Sequence, residues 1–426
     1  MKKTVAIMLV ILGTAAAFAQ NPAPQPPASS PAQLNIAKAQ QIIAKNPKDY
    51  EAYNALALAL ARRARETSDP NFYTQAEQAL DKSFAISPGN YDGARIQVWL
   101  LLGKHEFASA LEAATKLNKR VPDDVMVYGF LTDSNVELGN YAAAENAAQW
   151  MLNLRPGNLP GLTRAAYLRE LFGDPEGAVE LMKMALDSTP PSEAEDRAWI
   201  TTQIAHLKLA TGKTSEAEEL LQQALATFPG YHYALRYLGK VRLQQQRYDE
   251  AVALFRQRYE AAPHAENLFD LAEALQMADR TAEAKAAFAQ FEAKSLAETN
   301  RADNSNHELI IYYADYANEP AKSLEVARRE YARRHDVFTL DCYAWALHVN
   351  GQDSEARKQI EIALAVGIQD ANILRHAGEI SLKLGDRAAA EHYLQQASAL
   401  NAPDSGRARA TLASLSQGTS AREKQP

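Results

Sequence analysis

Cysteine is all but missing from this 426-residue chain. Cys342 stands alone, which excludes an internal disulfide framework and any cysteine-rich zinc module. Glycine and proline are sparse, 19 of each, against a loop-rich all-β or a collagenous chain. Positive charge is not in excess: 45 Lys and Arg face 52 Asp and Glu, a net of −7. That balance argues against a general affinity for nucleic acid or anionic lipid. No apolar run reaches the ~20 residues of a comfortable bilayer span. The marks of common active sites are also absent. The nine histidines show no metal-ligand spacing, and neither a G-x-S-x-G elbow nor a G-x-G-x-x-G fingerprint occurs. Gly212-Lys213-Thr214-Ser215 lacks the glycine that a phosphate loop needs five residues upstream, where Leu207 stands. The expectation is a non-catalytic chain with no metal and no cofactor.

With 47% apolar and 23% charged residues, the composition is that of a folded protein. Its first stretch reads as an export signal. Lys2 and Lys3 precede the apolar segment Val5 to Ala17, and Ala17-Phe18-Ala19 forms an A-x-A cleavage pattern before Gln20. Residues 1–19 are therefore expected to be a signal peptide of bacterial form, cut between Ala19 and Gln20. The protein is expected to be secreted, in the periplasm, with no membrane span after cleavage. Residues 20–33 carry Pro22, Pro24, Pro26, Pro27 and Pro31, which predict a disordered, proline-rich linker.

Beyond that linker a period appears. Pro88, Pro122, Pro156 and Pro190 lie 34 residues apart, Pro229 follows after 39, and Pro263 after 34 again. Ala110, Ala144, Ala178, Ala217 and Ala251 step in the same way, as do Gly139, Gly173 and Gly212. Gly351 and Gly385 repeat the 34-residue spacing later. Three columns sharing one insertion of five mark a true repeat. Within a unit, Tyr128, Leu131 and Asn135 keep helical spacing, Gly139 interrupts it, and Ala144, Ala148 and Met151 resume it. The unit is a helix–turn–helix. Glycine ends the first helix in a left-handed turn, alanine lets the two backbones approach, and proline stops the second helix. The predicted fold is all-α.

In the best unit, His232 to Pro263, the columns are Leu235, Leu238, Gly239, Tyr248, Ala251, Phe255 and Pro263. This pattern resembles the tetratricopeptide repeat family. The resemblance covers residues 50–402 in about ten units, and it implies a right-handed superhelical solenoid in which each unit touches its neighbours. Residues 34–402 are assigned to that solenoid, 403–417 to a closing helix and 418–426 to a disordered tail. Two departures stand out, an insertion around Arg63 to Asn71 and the long polar stretch Ser295 to His307, which reads as a mobile loop. His105, His264 and His335 are expected at solvated turns. The clusters Arg62, Arg63, Arg65 and Arg328, Arg329, Arg333, Arg334 are expected on solvated helix ends. Cys342 is expected to be a buried, inert thiol.

The resemblance further implies that the first helix of each unit lines a concave groove. Its register places Arg95, Trp99, Asp133, Tyr167, Trp199, His206, Arg236, Lys240, Trp345 and Arg375 on that face. Tryptophan and arginine are the residues most enriched at binding hot spots. The Lys/Asn carboxylate clamp of the chaperone-binding members is not matched, since those slots hold Arg95 and Trp99, Thr163 and Tyr167, and Arg236 and Lys240. The expected function is a scaffold of the bacterial cell envelope that binds a partner protein or an extended peptide in this groove. The alternative is a solenoid receptor for a small or polymeric ligand, such as a glycan or peptidoglycan fragment.

Overall fold

The computed structural model describes residues 30–67, 69–301 and 304–422. The proposed signal peptide and its cleavage site at Ala19 and Gln20 lie outside them. Among the described residues there is no strand, and the chain is a helical-repeat solenoid. After α1 (Pro31–Lys45) come ten helical hairpins. Their first, inner helices are α2 (Tyr50–Thr67), α4 (Tyr91–Gly103), α6 (Val125–Glu137), α8 (Leu159–Leu171), α10 (Ala194–Ala210), α12 (His232–Gln244), α14 (Ala265–Met277), α16 (Asn306–Ile311), α18 (Val337–Val349) and α20 (Ala371–Lys383). Each is followed by its outer partner: α3 (Asn71–Ile86), α5 (Phe107–Arg120), α7 (Tyr141–Leu154), α9 (Pro175–Ser188), α11 (Thr214–Thr227), α13 (Tyr248–Ala261), α15 (Thr281–Glu298), α17 (Pro320–Tyr331), α19 (Asp353–Ala365) and α21 (Arg387–Ala399). A π-turn, Tyr312–Tyr316, extends α16, and α22 (Ser405–Arg422) closes the stack.

The periodic columns account for the hairpins. Ala110, Ala144, Ala178, Ala217 and Ala251 are all fully buried, where a larger side chain would force the paired helices apart. Several inner helices begin on side-chain caps: the Asp124 carboxylate accepts from the N–H groups of Met126 and Val127, and Asp336 does the same for Phe338 and Thr339. Gly139 and Gly173 turn in the left-handed region, as the spacing predicts, and His105, Gln246 and Asp279 take that conformation at the same point of units lacking the glycine.

Two inner helices are longer than the usual 13 residues, and both record an insertion visible in the sequence. The insertion near Arg63 extends α2 to 18 residues at its C-terminal end, and the insertion of five extends α10 to 17 residues at its N-terminal end. These two ends meet. Arg65 pairs with Glu195 and lies 2.6 Å from Asp196, and Nε2–H of His232 at the head of α12 donates to the Arg65 carbonyl (3.1 Å). The first units are thereby drawn into a closed superhelical turn.

A second turn stacks on the first, so contacts are not confined to neighbouring units. The His335 N–H donates to the Glu137 carbonyl (2.9 Å), the Val337 N–H to the Tyr141 hydroxyl (3.0 Å), and the Gln244 amide to the Asn401 carbonyl (2.7 Å). Gly173 is pressed so close to Gly367 that a Cβ there would stand 2.5 Å from the Gly367 oxygen. At Glu137 and His335 the negative, C-terminal end of α6 meets the positive N-terminal region of α18, a favourable dipole arrangement.

Several expectations change as a result. The first helix starts at Pro31 inside the stretch read as linker, capped by Ser30 with Gln33 in a capping box. The last helix runs to Arg422, into the stretch read as tail. The polar stretch after α15 is tied down: Ser295 bonds Ser305 (2.7 Å), Thr299 bonds Asn306 (3.0 Å), and Arg333 bonds the carbonyls of Asn300 and Arg301. Several of the clustered arginines are engaged rather than solvated: Arg63 pairs with Glu66, Arg65 with Glu195 and Asp196, and Arg334 with Glu137 and Asp336, while Arg328 stays exposed as expected. His105, His264 and His335 are half-buried between the turns, and burial beside Arg334 pushes His105 down to about 3. Cys342 is buried, and burial raises its thiol pKa well above the usual value.

Candidate functional site

Closure of the first turn encloses space between the inner helices. A cavity of about 1060 Å³ opens there, lined from α2, α4, α6, α8, α10 and α12. Helical spacing sets what each contributes: Arg62 and Arg65 from α2, Arg95, Ile96 and Trp99 from α4, Phe130, Asp133 and Glu137 from α6, Arg164, Tyr167 and Glu170 from α8, Asp196, Trp199 and Gln203 from α10, and Tyr233 and Arg236 from α12. A smaller pocket of about 330 Å³ shares Trp99, Arg164 and Tyr167 and reaches Tyr73, His105 and Phe107.

Every carboxylate in the wall is already held by a cation. Arg164 grips Asp133 with two parallel bonds (2.8 and 2.5 Å) and also donates to the Gly129 carbonyl. Asp196 binds Arg65, Glu137 pairs with Arg334, and Glu170 bonds His206 (2.7 Å). Burial disfavours the His206 imidazolium, but Tyr237 and Glu170 outweigh it and raise the pKa to about 9. Burial raises the phenols of Tyr167 and Tyr233 well above the usual range, so both stay neutral donors. The wall is thus a fixed frame of ion pairs with aromatic faces set between them.

Of the residues placed on the groove by register, six line this cavity: Arg95, Trp99, Asp133, Tyr167, Trp199 and Arg236. His206 stands behind the wall as the partner of Glu170, and Lys240, one helical turn beyond Arg236, is not part of the lining. Trp345 and Arg375 belong to the second turn, where the interior is filled. Trp345 is 6% exposed, stacks on His376 (4.1 Å) under the Arg375 guanidinium (5.0 Å), and donates its indole N–H to Asp315 (2.8 Å). The π-turn supplies that Asp315 together with Tyr316, which donates to Glu273. Among the described residues, the cavity that gathers predicted groove residues lies in the first turn.

The register missed Arg62, Arg65, Arg164, Gln203 and Tyr233. Gln203 and Arg164 lie on the same helical faces as Trp199 and Tyr167, at i+4 and i−3 spacing, so helical periodicity around the aromatics carried a signal for both. Arg62 and Arg65 carried none, because α2 reaches the cavity only through the closure of the turn.

Residues 202–266, from α10 into α14, match the family profile of the tetratricopeptide repeat. No curated protein matches the sequence. Among solved structures, the human IFIT1 dimer with PPP-AAAA is similar at 15% identity, over 85% of this chain and 84% of that one, with a TM-score of 0.48. Yeast Tom70 is similar at 14% identity, over 92% and 97% of the two chains, with a TM-score of 0.40. The type IV pilus biogenesis factor PilW is similar at 14% identity, over 49% of this chain and 94% of that one, with a TM-score of 0.41. At such scores these likenesses carry no argument about function.

Proposed function

We propose that the chain is a non-catalytic scaffold of the bacterial cell envelope that binds an extended segment of a partner protein in the cavity of its first superhelical turn. The observation that carries this reading is the cavity itself, enclosed by six inner helices and walled by Trp99, Trp199, Tyr167, Tyr233 and five arginines. Aromatic and arginine side chains around a desolvated pocket are the composition of binding hot spots. Three of the four wall carboxylates support the non-catalytic part of the reading, since Asp133, Glu170 and Asp196 are each held by a cation, whereas burial raises Glu137 to about 7 even beside Arg334. Placement in the envelope rests on the leader pattern before Gln20, and mass spectrometry of the exported protein tests it by its first residue.

The binding reading is tested by photo-crosslinking in the native host from position 203, inside the cavity, and from position 150, on the outer surface. Crosslinks to another protein from 203 and not from 150 are expected; a cavity position that captures no protein would remove the reading. A glycan-receptor reading is favoured by the enclosure and by a volume near the upper end of small-molecule pockets. A thermal shift with cell-wall fragments, in place of protein crosslinks, would select it.

A further inference from the structure

The hydrogen-bonding state of the cavity wall narrows the chemistry of what it takes. Its carboxylates are paired. Asp133, Glu137, Glu170 and Asp196 are each engaged by a cation. The carboxylates behind the wall are engaged as well: Asp124 accepts from Tyr91, Arg95 and two backbone N–H groups, and Asp270 from Arg236 and Arg258. The donors, in contrast, are unspent. Among the described residues, Arg62 makes no hydrogen bond and has only Glu193 at 3.8 Å, a half-exposed pair worth little. Arg236 spends Nε on Asp270 (3.1 Å) and leaves both terminal nitrogens without a partner. The indole N–H groups of Trp99 and Trp199 and the hydroxyls of Tyr167 and Tyr233, all on lining residues, likewise have no partner among the described residues.

We infer that the segment bound here is acidic, carrying side-chain carboxylates between apolar or aromatic residues; this rests on the peptide-binding reading above. Carboxylates accept without donating, so they satisfy the Arg62 and Arg236 guanidinium groups and demand nothing from acceptors already occupied. Apolar residues beside them meet Ile96, Phe130 and the two indoles. A basic segment would bring ammonium groups to a wall whose carboxylates are already paired, beside the like charges of Arg62 and Arg236. The chain's net charge of −7 gives no long-range help to an acidic partner. The preference is local to the cavity wall.

The test is a selection from a degenerate peptide library on the purified full chain, run in parallel on a Trp99→Ala/Trp199→Ala variant. Peptides enriched on the full chain over that variant are expected to be acid-rich. Replacing their Glu and Asp by Gln and Asn should weaken binding about tenfold, the scale of a lost charge-assisted hydrogen bond. An Arg62→Gln/Arg236→Gln variant should lose most of that discrimination. The peptide substitution leaves the protein untouched, so the measurement stands even if the arginine variant folds poorly. Cavity-dependent winners that are not acidic, or that bind equally well as amides, would overturn the inference and leave the peptide reading intact. No enrichment over the tryptophan variant would overturn both.

Discussion

Arg65 and Glu195 stand 130 residues apart in the chain and form an ion pair that closes the first superhelical turn. Glu195 is only 7% exposed and also accepts from the Tyr231 hydroxyl (2.8 Å), so its charge depends on Arg65. Removing one partner of such a pair leaves a buried charge unmatched. Arg65→Ala should therefore lower stability by about 2–4 kcal/mol, somewhat below the figure for a fully buried pair because the arginine is partly exposed. Denaturant unfolding of the single variants and of Arg65→Ala/Glu195→Gln checks this; additive losses would mean that the two residues do not act as a pair.

Stacking of the second turn on the first is tested at two glycines. Gly89 and Gly173 both have a positive φ, but a Cβ at Gly89 meets nothing within 4 Å, whereas at Gly173 it meets the Gly367 oxygen at 2.5 Å. Gly89→Ala should cost about 1 kcal/mol for the backbone conformation alone. Gly173→Ala should cost at least about 2 kcal/mol, because the turns must also separate. Equal melting temperatures for the two variants would show that the turns do not press together.

His206 makes stability depend on pH. Its pKa is raised from the ordinary 6.5 to about 9, so its contribution is complete below about pH 6.5 and is lost as pH climbs through 9. With the side chain 28% exposed, the loss should be roughly 1–2 kcal/mol. Stability measured from pH 6 to 10 should fall across that window and flatten in His206→Gln. An NMR titration of the ring with a midpoint near 6.5 would refute the assignment.

The four tryptophans divide by position. Trp345→Ala removes a core side chain and should cost about 3–5 kcal/mol of stability. Trp99 and Trp199 are half-buried in the cavity wall, so their truncation should cost the fold less and partner binding about 2 kcal/mol or more. Trp150 is 51% exposed against Tyr128, and Trp150→Ala should leave capture unchanged. Melting and partner capture on the same four variants decide it. A large loss of stability in Trp99→Ala with binding intact would move that residue from the site to the core.

Much of this protein is written in its linear order. The proline, alanine and glycine columns determine helical hairpins, because each residue type does its work through local backbone geometry: proline stops a ladder, glycine takes a left-handed turn, alanine permits close approach. Both insertions were also visible, near Arg63 and before Pro229. What only the tertiary structure decided is that these insertions meet. The small rotation between successive hairpins sums over several units until Arg65 faces Glu195, and no local pattern records that sum. That closure separates residues sharing one register position, leaving Trp99 and Trp199 on a cavity while Trp345 is packed beneath Arg375 and against His376. Repeat register assigns a face; how far the chain winds determines whether that face is open or filled.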